Sequence, residues 1–202
     1  DLNGDGMIDM VATAYLNDGR DVFIYSNNST EENIDFNLEF SILAGGEPPG
    51  GGTDWNWSSS YPTLVDIDGD GNLDVLVTAE TADDITWWEN ILDGDTSPVW
   101  IEHTIDGSFD GARSAYAIDL DDDGDMDVLG AADQTGDITW WENVGDTDDD
   151  GTIDWSEHTI DGDFLSAYSV HAADIDGDGD LDVLGAANGN NVAYDISWWE
   201  ND

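Results

Sequence analysis

Aspartates at alternate positions recur in five short segments of the sequence, and they are the residues with the clearest chemistry. In the segment DIDGDGDLD, which begins at Asp174, carboxylates stand at positions 1, 3, 5, 7 and 9. Carboxylates this close repel one another unless a cation lies among them. Alternate spacing lets a tight turn direct every second oxygen inward, and a glycine at position 6 permits the sharp bend. Such oxygen ligands select a hard cation, Ca²⁺ before Mg²⁺ and scarcely Zn²⁺.

One nine-residue template describes all five segments. We predict side-chain ligands at positions 1, 3, 5 and 9 and a backbone carbonyl ligand at position 7. An apolar residue at position 8 is expected to turn away from the ion and anchor the loop to the core. The predicted ligands, in chain order, are Asp1, Asn3, Asp5, Met7 and Asp9; Asp66, Asp68, Asp70, Asn72 and Asp74; Asp119, Asp121, Asp123, Asp125 and Asp127; Asp146, Asp148, Asp150, Thr152 and Asp154; and Asp174, Asp176, Asp178, Asp180 and Asp182.

Two of these loops depart from the other three. In the first, Asn3 replaces a carboxylate by an amide, so we expect the weakest binding there. The loop at Asp146 fits the template but lies outside the phase of the repeat described below. We therefore expect four to five calcium sites. An EF-hand is excluded, because strand-like residues flank the loops and the last ligand is at position 9 rather than at about position 12.

The loops belong to a repeat that must also supply the elements that position them. The in-phase loops begin at residues 1, 66, 119 and 174, and are therefore 65, 53 and 55 residues apart. The segment DITWWEN or DISWWEN follows three of them, and EHTIDG follows two of those. Each block is short, rich in β-branched and aromatic residues, and bounded by Gly, Asn or Asp, which is typical of strands.

The spacing predicts four short strands in each unit of about 55 residues, the pattern of a β-propeller blade. The apolar runs LDVLVTA and LDVLGAA have no polar alternation, as expected of strands covered on both faces by neighbouring blades. The fold class is therefore all-β, a β-propeller of four-stranded antiparallel blades of which about 3.7 are present. We treat residues 1–202 as one propeller region with units at approximately 1–59, 60–112, 113–166 and 167–202. A β-sandwich is the alternative, although it would show cleaner alternation.

The segments DIDGDGNLDVLVTA and HAADIDGDGDLDVLGAA, with the WWEN that follows them, resemble the FG-GAP/VCBS repeat family. This family includes the calcium-loop blades of the integrin α-subunit propeller and repeats of many secreted microbial proteins. The resemblance covers nearly the whole chain. It implies a β-propeller, usually of seven blades, with a Ca²⁺ ion in each hairpin loop between the first two strands.

The composition restricts the partners and the location of the chain. Its 202 residues carry a formal charge of −47 with only two basic residues, so nucleic acid and anionic lipid should be repelled. No apolar run is long enough to span a membrane. Cysteine is absent, which excludes disulfides and thiolate metal sites. We expect a secreted or cell-surface protein, where calcium is abundant, and the surplus of acid also fits a saline environment.

No constellation of residues indicates catalysis. His103 and His158 recur at equivalent positions of the repeat, and His171 stands where the preceding unit has Tyr116, so structural roles are favoured for all three. The paired tryptophans of the WWEN blocks are interpreted as packing between blades. Trp55 and Trp57 lie in a long Gly/Pro-rich segment and are the better candidates for a ligand surface.

These observations favour an extracellular, calcium-binding, non-catalytic propeller module for adhesion, recognition, or surface or filament assembly. The alternative is an accessory or lectin-like carbohydrate-binding domain of a secreted polysaccharide-active enzyme. The expected partners are a protein or glycan ligand, with self-association through open blade edges as a further option. That option arises because the sequence begins at a loop and ends at WWEND, so edge strands of the blades are unaccounted for.

Overall fold

The computed structural model describes residues 1–16, 19–30, 34–42, 62–80, 82–92, 98–189 and 195–201, and these residues contain strands and turns but no helix. No helix long and apolar enough to cross a membrane occurs among them. The strands are β1 (Met10–Leu16), β2 (Gly19–Asn27), β3 (Phe36–Ile42), β4 (Thr63–Val65), β5 (Asp74–Ala79), β6 (Asp84–Ile91), β7 (Val99–Asp106), β8 (Ala112–Ile118), β9 (Asp127–Ala132), β10 (Ile138–Asn143), β11 (Trp155–Asp161), β12 (Ala167–Ala173), β13 (Asp182–Ala187) and β14 (Asp195–Trp199).

The strands form four antiparallel sheets in chain order, each of them a simple meander. The first sheet has the order β1-β2-β3, the second β4-β5-β6-β7, the third β8-β9-β10-β11 and the fourth β12-β13-β14. The prediction of an all-β fold built from blade-like sheets is confirmed. Two sheets have the four strands expected of a whole blade, and the other two have three described strands each.

The strands β5, β9 and β13, which follow the acidic loops at residues 66, 119 and 174, are largely buried on both faces. Every residue of β5 and of β9 is buried, and most of β13 is. Three hydrophobic clusters account for this burial, because each lies between two neighbouring sheets: the first and second, the second and third, and the third and fourth. The absence of polar alternation in the sequence is thus explained by a sheet on either side.

A phenylalanine from the turn before each of the last two sheets packs between sheets. Phe109 lies edge-on to Trp141 at a ring separation of 4.8 Å, and Phe164 lies edge-on to Trp199 at 5.2 Å. A side chain at Gly130 would place its Cβ 2.5 Å from Trp141 Cζ3 and 2.9 Å from Phe109 Cε1. The glycine in the middle of β9 is therefore required by the close approach of the two rings.

The outer strands of the second and third sheets carry the recurrent histidines. His103 of β7 stacks on Trp87 of the neighbouring β6 at 4.5 Å, and its Nε2 lies 2.7 Å from Glu89. In the third sheet, His158 stacks on Trp140 at 4.6 Å with its Nε2 2.9 Å from a carboxylate oxygen of Glu142. Each histidine thus joins an outer strand to its neighbour.

At the ends of the sheets away from the acidic loops, Arg113 joins the second and third sheets. Its guanidinium lies 2.6 Å from Glu80 and 3.2 Å from Asp133, and it covers the ring of Tyr168 at 4.5 Å. The half-buried arginine therefore fixes the position of the inner strand β8 against the ends of β5 and β9.

Candidate metal centres

The acidic loops are shaped by bonds between their carboxylates and their own backbone. In the Asp66 loop (residues 66–74), the N–H of Gly71 donates to Asp66 Oδ2 at 3.1 Å, and the N–H of Asp70 donates to Asp68 Oδ1 at 3.1 Å. The N–H of Asn72 donates to Asp70 Oδ1 at 2.7 Å. The bonds to Asp68 and Asp70 are Asx turns, whereas the bond to Asp66 spans five residues and closes the loop, and all three carboxylates keep oxygen lone pairs for another ligand.

Two backbone positions of every loop adopt the left-handed conformation. Glycine at position 6 has φ between 84° and 111° in all five loops, as the sequence predicted. Position 4 also has positive φ, which the template did not include, and it is occupied by Gly in three loops and by Asp122 and Asp149 in the other two. Glycine and aspartate are among the residues that tolerate this conformation best, so the residue type at position 4 carried the signal.

Carboxylate oxygens converge in four of the five loops. Positions 1 and 3 belong to every group, and the third member is position 5 in the Asp66 loop and position 9 in the other three. In each group the contributed oxygens lie within 4.8 Å of one another, which is close enough to share one ion. The groups are Asp66, Asp68 and Asp70; Asp119, Asp121 and Asp127; Asp146, Asp148 and Asp154; and Asp174, Asp176 and Asp182.

The structure therefore brings together three of the four side-chain ligands predicted for each of these loops. The fourth, which is Asp74, Asp123, Asp150 or Asp178, is not part of the group. The carbonyl ligands predicted at position 7 stay a prediction. Trp55 and Trp57, the predicted ligand surface, lie outside the described residues.

The first loop is not among the groups found in the described part of the chain. Position 3 belongs to every other group, and here it is Asn3. Its amide donates to Asp5 Oδ2 at 3.3 Å, while its Oδ1 accepts the N–H of Asp5 at 3.0 Å. An internal amide–carboxylate bond thus replaces one repulsive contact, and the weakest cation binding in this loop stays a prediction.

Position 9 attaches each in-phase loop to its sheet. In the Asp119 loop (residues 119–127), Asp127 is 1% exposed and accepts the N–H of Leu120 at 3.0 Å and that of Asn143 at 2.8 Å. The side-chain amide of Asn143 donates to the carbonyl of Met126 at 3.3 Å. The last residue of β10 therefore holds the end of a loop that lies 16 residues earlier in the chain.

The same attachment occurs in the other three in-phase loops. The backbone N–H of Asn27, Asn90 or Asn201 donates to the position-9 carboxylate of Asp9, Asp74 or Asp182 at 2.8, 2.9 and 3.0 Å. Sequence reasoning missed these asparagines. The signal was present, because WWEN ends in asparagine in all three of its copies.

Two positions of the loops, 2 and 8, carry apolar side chains, and they are buried to different extents. Ile8 is 81% exposed, so the expectation that position 8 turns into the core is wrong for the first loop. Leu73, Leu181 and Ile153 are half-buried and pack against the clusters, as expected of position 8. Fully buried side chains stand instead at position 2 of the first three in-phase loops, where Leu2, Ile67 and Leu120 enter the clusters. The position-2 N–H donates to the position-9 carboxylate in all four in-phase loops, including the last, where Ile175 is 42% exposed, so this bond alone does not bury the side chain.

The Asp146 loop (residues 146–154) is closed by a threonine instead of an asparagine. Both the N–H of Thr147, at 2.9 Å, and its hydroxyl donate to Asp154 Oδ2. These two bonds, the hydroxyl first, hold the pKa of Asp154 below its ordinary value. The backbone of Val144 and Gly145 exchanges hydrogen bonds with Asp154, so the loop closes on itself at the end of β10.

Burial and mutual repulsion make the in-phase loops electrostatically unfavourable when no cation is bound. Desolvation raises the pKa of Asp74 and of Asp127 from 3.8 to about 6, although two backbone N–H groups oppose the shift in each case. Desolvation, with repulsion from neighbouring aspartates, also raises the pKa values of Asp68 and Asp121. A bound cation would reverse this penalty, because it favours the ionised carboxylates.

One buried atom shows how an ion fits. Asp66 Oδ1 is buried and has no hydrogen-bond partner, while Oδ2 of the same carboxylate accepts the N–H of Gly71. A buried carboxylate oxygen without a donor is costly unless a cation approaches it. The donor set is composed of carboxylate oxygens, with neither sulfur nor imidazole, so it suits a hard cation such as Ca²⁺.

The family comparison matches the periodicity of these loops. A family model described as FG-GAP-like repeat matches residues 1–77, 66–130 and 119–185, and each match starts at position 1 of an in-phase acidic loop. Together the three matches cover most of the chain. No curated protein gives a significant match.

Proposed function

The chain belongs to the FG-GAP-like repeat family, and from this premise we propose that it is an extracellular calcium-binding β-propeller module used for adhesion, recognition or surface assembly. The module is non-catalytic in this proposal. Repeats of this family are typical of extracellular proteins, and the family resemblance includes a calcium ion in the loop between the first two strands of a blade.

The convergence of carboxylates in four loops is the observation that carries the calcium part of the proposal. Their oxygens come within 4.8 Å of one another, and Asp66 Oδ1 is buried without any donor. In a chain of net charge −47 with two basic residues, side chains of lysine and arginine cannot neutralise these groups. A divalent oxygen-seeking cation is the natural counter-charge.

In this proposal calcium supports the fold. Positions 1 and 3 of the four convergent loops hold the ion, and the backbone turns orient their oxygens. In the in-phase loops, position 9 joins the loop to the sheet through its bond to the asparagine. A ligand that binds only the folded state raises the free energy of unfolding by about 2.7 kcal/mol for each site when its concentration is a hundred times its dissociation constant. Several near-identical sites therefore support a structural rather than a signalling role.

Thermal unfolding in calcium, in magnesium and in a chelator tests the proposal. We expect a melting temperature at least 10 °C higher in millimolar calcium than in chelator, and a smaller rise in magnesium, which tolerates crowded carboxylate cages less well. Identical melting curves in calcium and in chelator would show that the loops are acidic turns that bind no calcium, and this would contradict the proposal.

A matched pair of variants in one loop makes the test site-specific. Asp121→Asn and Asp125→Asn remove the same charge four residues apart, but only Asp121 belongs to a convergent group. We expect calorimetric titration with calcium to lose one site, or to weaken one about tenfold, in Asp121→Asn, with little change in Asp125→Asn. Equal effects would mean that diffuse negative charge, not a built site, attracts the ion.

The recognition part of the proposal is supported by the family alone and needs its own experiment. The module would be applied to arrays of extracellular proteins and of glycans, in calcium and in chelator. Calcium-dependent capture of a protein partner is the expected result. Capture by glycans alone would favour the lectin-like alternative.

A further inference from the structure

A glutamate of the second sheet faces its acidic loop. Glu89 of β6 comes directly before Asn90, whose N–H donates to the last carboxylate of the Asp66 loop at 2.9 Å. Glu89 also lies two residues after Trp87, so the two side chains point to the same face of the sheet. On that face Trp87 belongs to one cluster with Ile67, which is position 2 of the loop. The glutamate therefore stands on the side of the sheet against which the start of the loop packs.

The outer strand holds this glutamate in place. His103 of β7 stacks on Trp87 at 4.5 Å, and its Nε2 lies 2.7 Å from Glu89 Oε2. Both side chains are largely buried, because only 18% of the histidine and 22% of the glutamate are exposed. A carboxylate accepts several bonds, so the contact with one histidine leaves capacity for a cation.

The charge of Glu89 acts on the convergent group of the loop. Desolvation makes the largest contribution to the raised pKa of Asp68, and repulsion adds to it. Among the repelling charges, Glu89 ranks ahead of Asp66, although Asp66 and Asp68 have carboxylate oxygens within 4.8 Å of each other. A residue outside the nine-residue template is therefore as important to the electrostatics of position 3 as a member of the group.

The third sheet repeats the arrangement. His158 stacks on Trp140 at 4.6 Å, and its Nε2 lies 2.9 Å from Glu142 Oε2. Trp140 and Asp121, which is position 3 of the Asp119 loop, line one cavity between the third and fourth sheets. Desolvation contributes most to the raised pKa of Asp121, and repulsion from Glu142 exceeds that from Asp119. The same contacts are thus built twice, by equivalent residues of two repeats.

A packed glutamate beside three converging carboxylates is unfavourable unless a cation lies among them. Calcium takes six to eight oxygen ligands, whereas each convergent group supplies the carboxylates of three residues. An ion in the loop would turn the repulsion by the glutamate into attraction. The alternative is that the glutamate serves only as the partner of the histidine.

We propose that Glu89 and Glu142 are further residues of the ion sites in the Asp66 and Asp119 loops, where each adds one carboxylate charge from the sheet. His103 and His158 are their positioning residues. The inference rests on the calcium binding of the proposed function and adds to the ligands of the loop template. Because the added charge comes from the third strand and is held by the outer strand, tight binding depends on a sheet in which both strands are paired.

Site-resolved titration with calcium tests the proposal, because each loop carries its own reporter. The N–H of Gly71 donates to Asp66 Oδ2 at 3.1 Å, and that of Gly124 donates to Asp119 Oδ2 at 3.0 Å. Both amide resonances are followed by two-dimensional NMR of the full chain. In Glu89→Gln we expect the dissociation constant at Gly71 to rise about tenfold and that at Gly124 to stay within about twofold.

Two further variants show whether the effect is specific. Glu142→Gln should weaken binding at Gly124 alone. Glu102→Gln is the matched control, because Glu102 is next to His103 on β7 and points to the opposite face. This control should leave the constants of both loops within about twofold. Equal losses in Glu102→Gln and Glu89→Gln would assign the effect to diffuse negative charge and overturn the proposal.

Stability without metal separates the role of a charge from that of packing. Glutamine keeps the shape of the side chain and can still bond to His103. Glu89→Gln should therefore leave the urea midpoint in chelator unchanged or raise it, since the repulsion of Asp68 is removed, and should lower the midpoint in calcium. A lower midpoint in chelator with an unchanged constant at Gly71 would make Glu89 a structural partner of the histidine and overturn the proposal.

The positioning role of the histidine has its own test. His103→Phe keeps a ring that can stack on Trp87 but loses the bond to Glu89. We expect the dissociation constant at Gly71 to rise about threefold, and the double variant to bind no more weakly than Glu89→Gln alone. Additive effects would show that His103 does not act through the glutamate and would overturn its role.

Failure of this inference can be told from failure of the proposed function. If Gly71 and Gly124 do not respond to calcium in the unchanged protein, the calcium part of the proposed function fails. If both glycines respond and Glu89→Gln binds as tightly as the unchanged protein, only the added carboxylate is refuted.

Discussion

The Asp119 loop and the Asp146 loop share one template and lie at the same end of the third sheet, yet they are held in different ways. In the first, Asp127 is buried and is bound by the N–H of Asn143. In the second, Asp154 is bound by Thr147 of its own loop. The template alone thus determines the local turn, whereas the contact with β10 determines whether the loop is part of the folded core.

Asn143 stands between the two loops and contacts both. Its backbone N–H donates to Asp127, and its Oδ1 accepts the N–H of Gly145, which leads into the Asp146 loop. The two candidate ion sites are therefore joined through the end of one strand. The comparison predicts that changes at Asp127 affect folding, that changes at Asp154 affect only the local site, and that changes at Asn143 affect both.

The largest contrast is expected between Asp127→Ala and Asp154→Ala. Loss of the Asp127 carboxylate leaves the N–H groups of Leu120 and Asn143 without an acceptor in a buried place, and it also removes a member of the convergent group. We expect the free energy of unfolding in calcium, measured with urea, to fall by about 3 kcal/mol.

Asp154→Ala should instead remove one calcium from the titration, lower stability in calcium by no more than the contribution of that one site, and leave the unfolding midpoint in chelator nearly unchanged. Its side chain contacts only the loop to which it belongs. Equal destabilisation by the two variants would show that the asparagine contact does not distinguish the loops.

An intermediate effect is expected for Asn143→Ala. The backbone N–H remains, but the bonds of the side chain to Met126 and Gly145 are lost. We expect a loss of about 1–2 kcal/mol in urea unfolding and weaker calcium binding at two sites rather than one. Asn188→Ala, at the far end of the fourth sheet, serves as a control. A calcium titration altered at only one site would show that Asn143 does not connect the two loops.

The smallest effect for any one side chain is a dependence of stability on pH that differs in sign with and without calcium. The pKa of Asp127 is raised from 3.8 to about 6 in the metal-free folded state. Between these two pH values, Asp127 is therefore protonated to a larger fraction in the folded state than in the unfolded state. The stability of the metal-free protein should therefore rise as the pH falls from 7 to 5, by about 1 kcal/mol from this carboxyl and a similar amount from Asp74.

In calcium the same change of pH should lower stability, because protons compete with the ion for the carboxylates. The bonds with Thr147 lower the pKa of Asp154, so this carboxyl does not contribute to the rise. Urea unfolding at pH 5, 6 and 7 in chelator and in calcium checks both signs. Asp127→Asn should reduce the dependence of stability on pH in chelator. An unchanged dependence would mean that other carboxyls are responsible for it.

Much of the site followed from the sequence because its information is local. The spacing of Asp119, Asp121 and Asp127, with glycine at position 6, predicted both the turn and the convergence that the structure has. The contact of Asp127 with Asn143 joins residues 16 apart across two strands, and no spacing rule for a nine-residue loop contains it. The burial of position 2 was missed for the same reason, since it depends on the neighbouring sheet.

The strands and their order could also be predicted, because the WWEN and EHTIDG blocks recur at fixed distances from the loops. The approach of Phe109 to Gly130 could not, because it depends on the packing of a turn against a strand of the next sheet. Repetition in the sequence predicts the loops and strands of each unit, whereas the packing of each sheet against its neighbours is seen only in the fold.

The place of Phe109 has a practical consequence for dividing the chain. It precedes β8 in sequence and packs between the second and third sheets, where its ring rests on Trp141 of the third. An excised or transplanted repeat cut at residue 113 would leave this ring behind and open a gap over Gly130. A transferable unit should begin at about residue 107, so that the turn travels with the strands it supports, and Phe164 should likewise accompany the fourth sheet.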